Sequence, residues 1–240
     1  MIFAINTSTT QFSIALIEER GNVVEEHIIS PDGKNFRAFM PAVHSMFASV
    51  ESTAGDLQAV VVAIGPGSFT GLRVGLSTAK GIAYGLNIPI IGVSSLEALA
   101  VRLSYSSYTI CTIISSRRGE IFAALFRWDD EHGIIRIMED KSLQLKNLGS
   151  IVECPTLFIG NNFNEQGDFI KDLIGEKAFI APPYLWNIRA SAVASLGLKR
   201  FLNRDFDDIQ DLVPTYMRPP DIRPNPFPVL SEKDVFSNHG

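Results

Sequence analysis

Apolar positions along this chain fall into short β-type runs and longer helical stripes, and their order predicts two successive α/β units. Ile2 to Ile5 reads as a strand, followed by the polar turn Asn6-Thr7-Ser8-Thr9-Thr10. Phe12 to Ile17 reads as a second strand, and Glu18 to Asn22 as a hairpin turn into a third, Val23 to Ile29. Phe36, Phe39, Met40, Val43, Met46, Phe47 and Val50 then recur at spacings of three and four, one apolar stripe of a helix. Ala59 to Ile64 is a β-branched run that predicts a buried strand, followed by helical character over 70–86 and a further strand from Ile88 to Val93. Ser94 or Ser95 is placed to cap the next helix.

A similar set follows. Tyr108 to Ile114 and Glu120 to Arg127 read as strands around the turn Ser115 to Gly119, and the loop Asp129 to Gly133 leads into a strand from Ile134 to Met138. Thr156 to Gly160 is a strand that runs into an Asn-rich turn, and Arg189 to Asn203 is an amphipathic helix. Each half thus sets a β-meander before helices and parallel-type strands. That predicts two related α/β lobes, residues 1–104 and 105–218. The Pro-rich stretch from Arg218 to Pro226 can continue neither a helix nor a central strand, so 219–240 is expected to be an extended tail.

Composition narrows the function classes. With 240 residues, 46% hydrophobic and 20% charged, the chain can bury a sizeable core. Its net charge of −5 counts against a stand-alone nucleic-acid binder, which draws its affinity from phosphate neutralisation. Cys111 and Cys154 stand alone, so neither a disulfide framework nor a thiolate zinc site is expected. The N-terminus lacks a basic segment and starts directly in a strand pattern, and no apolar run is long enough to span a membrane. A cytoplasmic protein is expected. Histidines 27, 44, 132 and 239 include no i, i+4 pair, so no metal site is expected.

The strongest candidate for chemistry is the turn Gly65-Pro66-Gly67-Ser68-Phe69-Thr70-Gly71 between a strand and a helix. Glycines there permit close backbone approach, and a helix start presents unpaired N–H groups that suit a phosphate. It is not a Walker A loop, because no Lys-Ser or Lys-Thr pair follows a glycine at the needed spacing, and it is neither a dinucleotide fingerprint nor a nucleophile elbow. Gly67, Gly71, Gly75, Ala79 and Ala83 then fall every four residues, a smooth ridge on a helix. Each glycine costs a helix about 1 kcal/mol relative to alanine, so the ridge calls for a packing reason. Two readings stand: close packing on the lobe's own sheet, or a helix-to-helix interface with a partner. Ser115-Ser116-Arg117-Arg118-Gly119-Glu120 is the equivalent turn of the second half, and Asp207, Asp208 and Asp211 read as an exposed acidic edge. No nucleophile or acid/base pair emerges.

The run from Gly65 to Gly75, continuing through Ala79-Lys80-Gly81 to Ser94-Ser95-Leu96-Glu97-Ala98-Leu99-Ala100, resembles the signature of the TsaB (YeaZ) family. Supporting matches, in family order, are Ile5-Asn6-Thr7-Ser8-Thr9, Arg117-Arg118-Gly119-Glu120-Ile121-Phe122 and Val213-Pro214-Thr215-Tyr216-Met217-Arg218. The resemblance covers about residues 1–218. It implies a two-lobed actin-like (ribonuclease H-like) fold, each lobe a mixed sheet with helices packed on it. It also implies a part in making threonylcarbamoyladenosine next to the tRNA anticodon, as a non-catalytic scaffold for the paralogue TsaD, which the ATPase TsaE joins. Homodimerisation of the chain alone, and contact with tRNA only through the complex, follow from the same likeness. The docking surface is implied on helices 36–50 and 70–86, at Phe36, Phe39, Met40, Val43, Met46, Phe47, Gly71, Val74, Gly75, Thr78, Ala79 and Ile82. Gly65, Gly67, Ser68, Thr70 and Arg117 remain candidates for nucleotide contact, with ATP and Mg expected only at the level of the complex. A different class, an ATP-using kinase-like enzyme of the actin and sugar-kinase superfamily, is the alternative. Three departures stand out: Asn6 where the family usually has Asp, Ser115-Ser116-Arg117 in place of Asp-Ala-Arg, and Asn35-Phe36 in place of His-Ser. Losing two carboxylates makes a Mg–nucleotide site in this chain less expected, since hard cations want oxygen anions.

Overall fold

The computed structural model describes residues 1–30 and 36–217. The β-branched and apolar runs build two five-stranded sheets. The first holds β1 (Ile2–Asn6), β2 (Phe12–Ile17), β3 (Val23–Ile29), β4 (Ala59–Gly65) and β5 (Ile90–Ser94), in the order β3-β2-β1-β4-β5. The second holds β6 (Thr109–Ser115), β7 (Glu120–Asp129), β8 (Gly133–Gln144), β9 (Thr156–Gly160) and β10 (Ala178–Ile180), in the order β10-β9-β6-β7-β8. Read from the opposite edge, the second order reproduces the first. In both, an antiparallel three-strand meander is followed by parallel pairings, β1 with β4 and β6 with β9. The internal duplication expected from element order is therefore present in topology.

The described residues also form five α-helices: α1 (Phe39–Ser49), α2 (Phe69–Leu86), α3 (Ser95–Ala100), α4 (Phe163–Ile174) and α5 (Ala190–Leu202). Ser94 caps α3, its hydroxyl accepting from the Glu97 amide at 3.3 Å. Apolar side chains divide among three cores. Phe3, Ile5, Phe12, Ile14 and Leu16 point to one face of the first sheet and meet Phe39, Val43 and Met46 of α1 and Leu76 and Ala79 of α2. Ile2, Ala4, Ala15, Ile17 and Val61 point to the other face, into one core that also takes α3, α5 and the inner face of the second sheet through Ile114, Phe122 and Phe126. The outer face of the second sheet is covered by α4 through Phe163 and Ile170.

Several expectations need correction. The two sheets follow one another in the chain, but the helices and the last segment do not keep to that order. Helix α5, from the second half, packs on β1, β2, β4 and β5 of the first sheet, and Gly197 sits so close to Val61 that a Cβ would overlap it. The following segment also returns to the first lobe: Asp207 N–H donates to Ile90 O at 3.1 Å and Thr215 N–H to Ile64 O at 2.8 Å. Helix α4 and strand β10 were not expected beyond the Asn-rich turn. The apolar face of α4, Phe163, Ile170 and Ile174, is interrupted by Gly167, which dilutes the helical period. Strand β8 runs to Gln144, past the expected end at Met138. The tail 219–240 and Asn35 lie outside the described residues.

Candidate functional site: a filled phosphate turn and the outer face of two helices

The turn between β4 and α2 has the predicted strand-to-helix form, and its Ser68 and Gly71 amides are already engaged. Ser68 N–H donates to Ser8 O at 2.7 Å, and the Ser68 hydroxyl caps the helix by accepting from Gly71 N–H at 3.3 Å. Thr7 Oγ1 donates to Gly71 O at 2.7 Å. The polar turn after β1 thus packs directly against the glycine turn and the first turns of α2. Its residues Asn6, Thr7, Ser8 and Thr9 are all buried. A Cβ on Gly67 would run into Ser8 O, one on Gly71 into Thr7 O, and one on Gly75 into Thr7 Oγ1. Glycine is required at these three positions because backbone meets helix there with no room for a side chain.

This decides between the two readings of the four-residue ridge. Gly71, Gly75, Ala79 and Ala83 are buried in their own lobe. They face the β1 turn and the core under the sheet, so as implied interface positions Gly71, Gly75 and Ala79 are corrected. The same holds on α1, where Phe39, Val43 and Met46 are buried and Phe47 lies against Phe3 with ring centroids 5.8 Å apart. Of the apolar stripe of helix 36–50, Phe39, Val43 and Met46 are core, whereas Met40 is exposed. The side chain of Phe36 lies outside the described residues.

What remains open on these helices is a different face. On α2 it comprises Thr70, Arg73, Ser77, Gly81, Tyr84 and Gly85, bordered by the half-buried Val74, Thr78 and Ile82. Gly81 and Gly85 would meet nothing within 4 Å if they carried a Cβ. Tyr84 is 81% exposed, and on α1 Met40 is 57% exposed. Of the implied interface, Met40, Val74, Thr78 and Ile82 therefore reach or border the surface. Sequence reasoning missed Gly81 and Gly85 because the i, i+4 ridge drew the eye, although both sit three or four residues from members of the outer row. At the start of α2, the Arg73 guanidinium lies 3.9 Å from the Phe69 ring centroid, and its Nε donates to Tyr216 Oη at 3.0 Å.

Asn6 explains its departure from the usual carboxylate. Its Nδ2 donates to Ile188 O at 3.2 Å, and its Oδ1 accepts from Ser8 N–H at 3.2 Å and from Ser8 Oγ at 2.6 Å. An ionised carboxylate could accept from Ser8 but could not donate to Ile188 O, whereas the amide does both. In the second lobe, Ser115 N–H donates to Asn161 Oδ1 at 2.9 Å and its hydroxyl to Gln166 Oε1 at 3.2 Å. Arg117 is exposed on the following turn, on the second sheet, whereas Gly65, Gly67, Ser68 and Thr70 belong to the first. Among the described residues no group of three or more His, Cys, Asp or Glu is placed to hold a metal ion. No helix among them is long and apolar enough to cross a membrane.

Comparison with known proteins adds to this geometry. The family model for TsaD, tRNA N6-adenosine threonylcarbamoyltransferase, matches residues 34–153. The tRNA threonylcarbamoyladenosine biosynthesis protein TsaB of Bacillus subtilis is 34% identical over 221 residues, 90% of this chain and 93% of that protein. The protein of the same name from Escherichia coli is 32% identical over 135 residues, 55% of this chain and 57% of its own length. In three dimensions the chain is similar to YeaZ from Pseudomonas aeruginosa, with a TM-score of 0.74 at 18% identity, covering 90% of this chain and 99% of that one. That likeness carries the fold, and the B. subtilis protein carries the sequence relationship along nearly the whole length. The chain belongs to the TsaB (YeaZ) family of tRNA threonylcarbamoyladenosine biosynthesis proteins.

Proposed function

We propose that this protein is a non-catalytic partner of a TsaD-type transferase and docks it through the outer face of α2 and the neighbouring edge of α1. The observation that carries this reading is the run of small residues on that face. Gly81 and Gly85 weaken the helix by about 1 kcal/mol each, yet among the described residues no neighbouring atom comes close enough to need them. Together with Ser77 and Thr78 they leave a shallow surface with Tyr84 standing out from it, and Met40 is exposed on α1, which packs on the same face of the first sheet. Large apolar anchors beside small residues suit helix-on-helix contact. The non-catalytic half of the proposal draws on the filled turn, where the Ser68 amide and the Thr7 hydroxyl already have partners. TsaE joining the complex, self-association of the chain in the absence of TsaD, and tRNA contact through the complex only belong to the same proposal.

The test is titration of the purified chain with its cognate TsaD on a sizing column. A heterodimer is expected, and Thr78→Arg should abolish it while leaving the melting temperature within a degree or two. A complex that survives Thr78→Arg would sink the assigned face. Calorimetry with Mg–ATP on the isolated chain is expected to show no binding; tight binding with turnover would favour the kinase-like alternative.

A further inference from the structure

Between β10 and α5 the chain crosses from the second sheet to the first, and a row of consecutive carbonyls along this crossover is bound by side chains of the first half. Arg102 follows α3, in a short 3-10 turn. Its Nη1 lies 2.5 Å from Leu185 O, 3.2 Å from Trp186 O and 2.7 Å from Asn187 O, and its Nη2 donates to Tyr184 O at 3.2 Å. The next carbonyl, Ile188 O, accepts from Asn6 Nδ2 and from Ser13 Oγ, both at 3.2 Å. Five successive carbonyls thus lie within hydrogen-bond distance of these donors, the two Nη1 hydrogens being shared among three of them, and the three side chains come from β1, β2 and the 3-10 turn after α3. No carboxylate is hydrogen-bonded to the Arg102 guanidinium in this set; it is held by neutral carbonyls. Burial, with Arg189 adding to it, lowers the Arg102 pKa to about 10.

The other chain crossing between the sheets is the stretch that Arg102 itself begins, Val101 to Tyr108. One guanidinium therefore fastens the two inter-lobe connections to each other. A second tie lies farther along α3, where Arg136 of β8 donates from Nη2 to Ser94 Oγ at 3.2 Å, with Glu97 Oε2 3.8 Å away. Between these ties the two sheets share one apolar core through α3 and α5.

We infer that Arg102, with Asn6 and Ser13, clamps the 184–188 crossover and fixes the angle between the lobes, so that the molecule works as one rigid block and not as a clamp that opens and closes. A hinge needs backbone free to change φ and ψ at both crossings, and here one planar fork holds both. The second nitrogen matters beside the charge: Nη2 alone reaches Tyr184 O, and a lysine ammonium, with three donors on one atom, would leave that carbonyl without this partner.

Spin labels at Ser49→Cys on α1 and Ser150→Cys on the second lobe, in a Cys154→Ser background that removes the exposed native thiol, report the inter-lobe distance by pulsed dipolar spectroscopy. The otherwise unchanged protein should give one narrow distance distribution that saturating Mg–ATP leaves in place. Arg102→Gln and Arg102→Lys should both broaden it, together with at least a tenfold faster hydrogen exchange over 184–189. A broad or two-peaked distribution in the parent protein overturns the inference, as does a lysine variant as narrow as the parent. Should Arg102→Gln fail to fold, the parent measurement still decides, and Ser13→Ala, which removes one of the two donors to Ile188 O, should raise exchange at 188–189 severalfold.

Discussion

Two glycines on one helix should respond to the same added methyl with opposite sign. At Gly71 a Cβ would overlap the carbonyl oxygen of Thr7, a backbone atom fixed in the buried turn after β1. Relief requires moving either α2 or the turn, and it strains the bond from Thr7 Oγ1 to Gly71 O. Overpacking of this kind costs about 1–3 kcal/mol, and a buried hydroxyl left without its acceptor adds about 1–3 kcal/mol. Against this, alanine returns about 1 kcal/mol of helix propensity. The balance for Gly71→Ala is a loss of roughly 1–5 kcal/mol. At Gly81 nothing lies within 4 Å of the new atom, so only the propensity gain remains, about 1 kcal/mol in favour of the variant. For a chain of this size 1 kcal/mol corresponds to roughly 2–4 °C in melting temperature. Urea titration followed by circular dichroism, with a thermal melt beside it, measures both. The partner titration adds the functional axis: Gly81→Leu should fold and yet bind TsaD at least tenfold more weakly. A Gly71→Ala variant as stable as the parent would refute the account of the filled turn. A Gly81→Leu variant that binds normally would refute the docking face.

Other expectations follow from individual contacts. Asn6→Asp replaces the donor to Ile188 O by an oxygen while keeping the two bonds from Ser8, so it should lower stability at pH 7 by about 1–3 kcal/mol; an unchanged melt would show that the amide donor contributes nothing. Burial raises the Glu97 carboxyl above its ordinary value, with Arg136 opposing and Asp140 adding. The folded state then holds the proton more tightly than the unfolded chain, so this group's contribution is most favourable below the ordinary glutamate pKa and is lost as pH rises through the raised one. Glu97→Gln should therefore gain on the parent as pH rises past the ordinary glutamate pKa, and match it at the acid end; a gap that is constant with pH contradicts this. Arg73→Ala removes the bond to Tyr216 and the cover over Phe69, and should speed amide exchange at Thr215 severalfold without altering the global melt.

Much of the architecture is legible in the sequence because strands of the first sheet are nearly pure apolar runs and each meander is punctuated by polar turns. Ile2 to Ile5, Ala59 to Ile64 and Thr156 to Gly160 could be placed within a residue for that reason. Helix α4 could not, since Gly167 stands where a large apolar residue would have continued the stripe. The candidate site was legible only as a motif. That Gly67, Gly71 and Gly75 form a row can be counted along the chain, but what they approach depends on the turn sixty residues earlier in sequence. Periodicity says that a face is smooth and stays silent on whether the chain itself will lie against it. The return of α5 to the first sheet was hidden for a related cause: the helix follows the second sheet in sequence, yet the apolar surface awaiting it, Ala4, Ala15 and Val61, belongs to the first.

That last placement has a consequence during synthesis. The strands of the first sheet leave the ribosome first, but the helix that covers their inner face begins only at Ala190, and the segment that bonds to Ile64 and Ile90 arrives later still. Until then the nascent first lobe carries an uncovered apolar sheet face, a surface prone to aggregation or to capture by a chaperone. The final contacts also join residues far apart in sequence, which slows folding through the entropy of closing long loops. A chain cut short before Ala190 would therefore be a permanently exposed sheet, whereas the full-length chain seals its earliest strands with some of its latest residues.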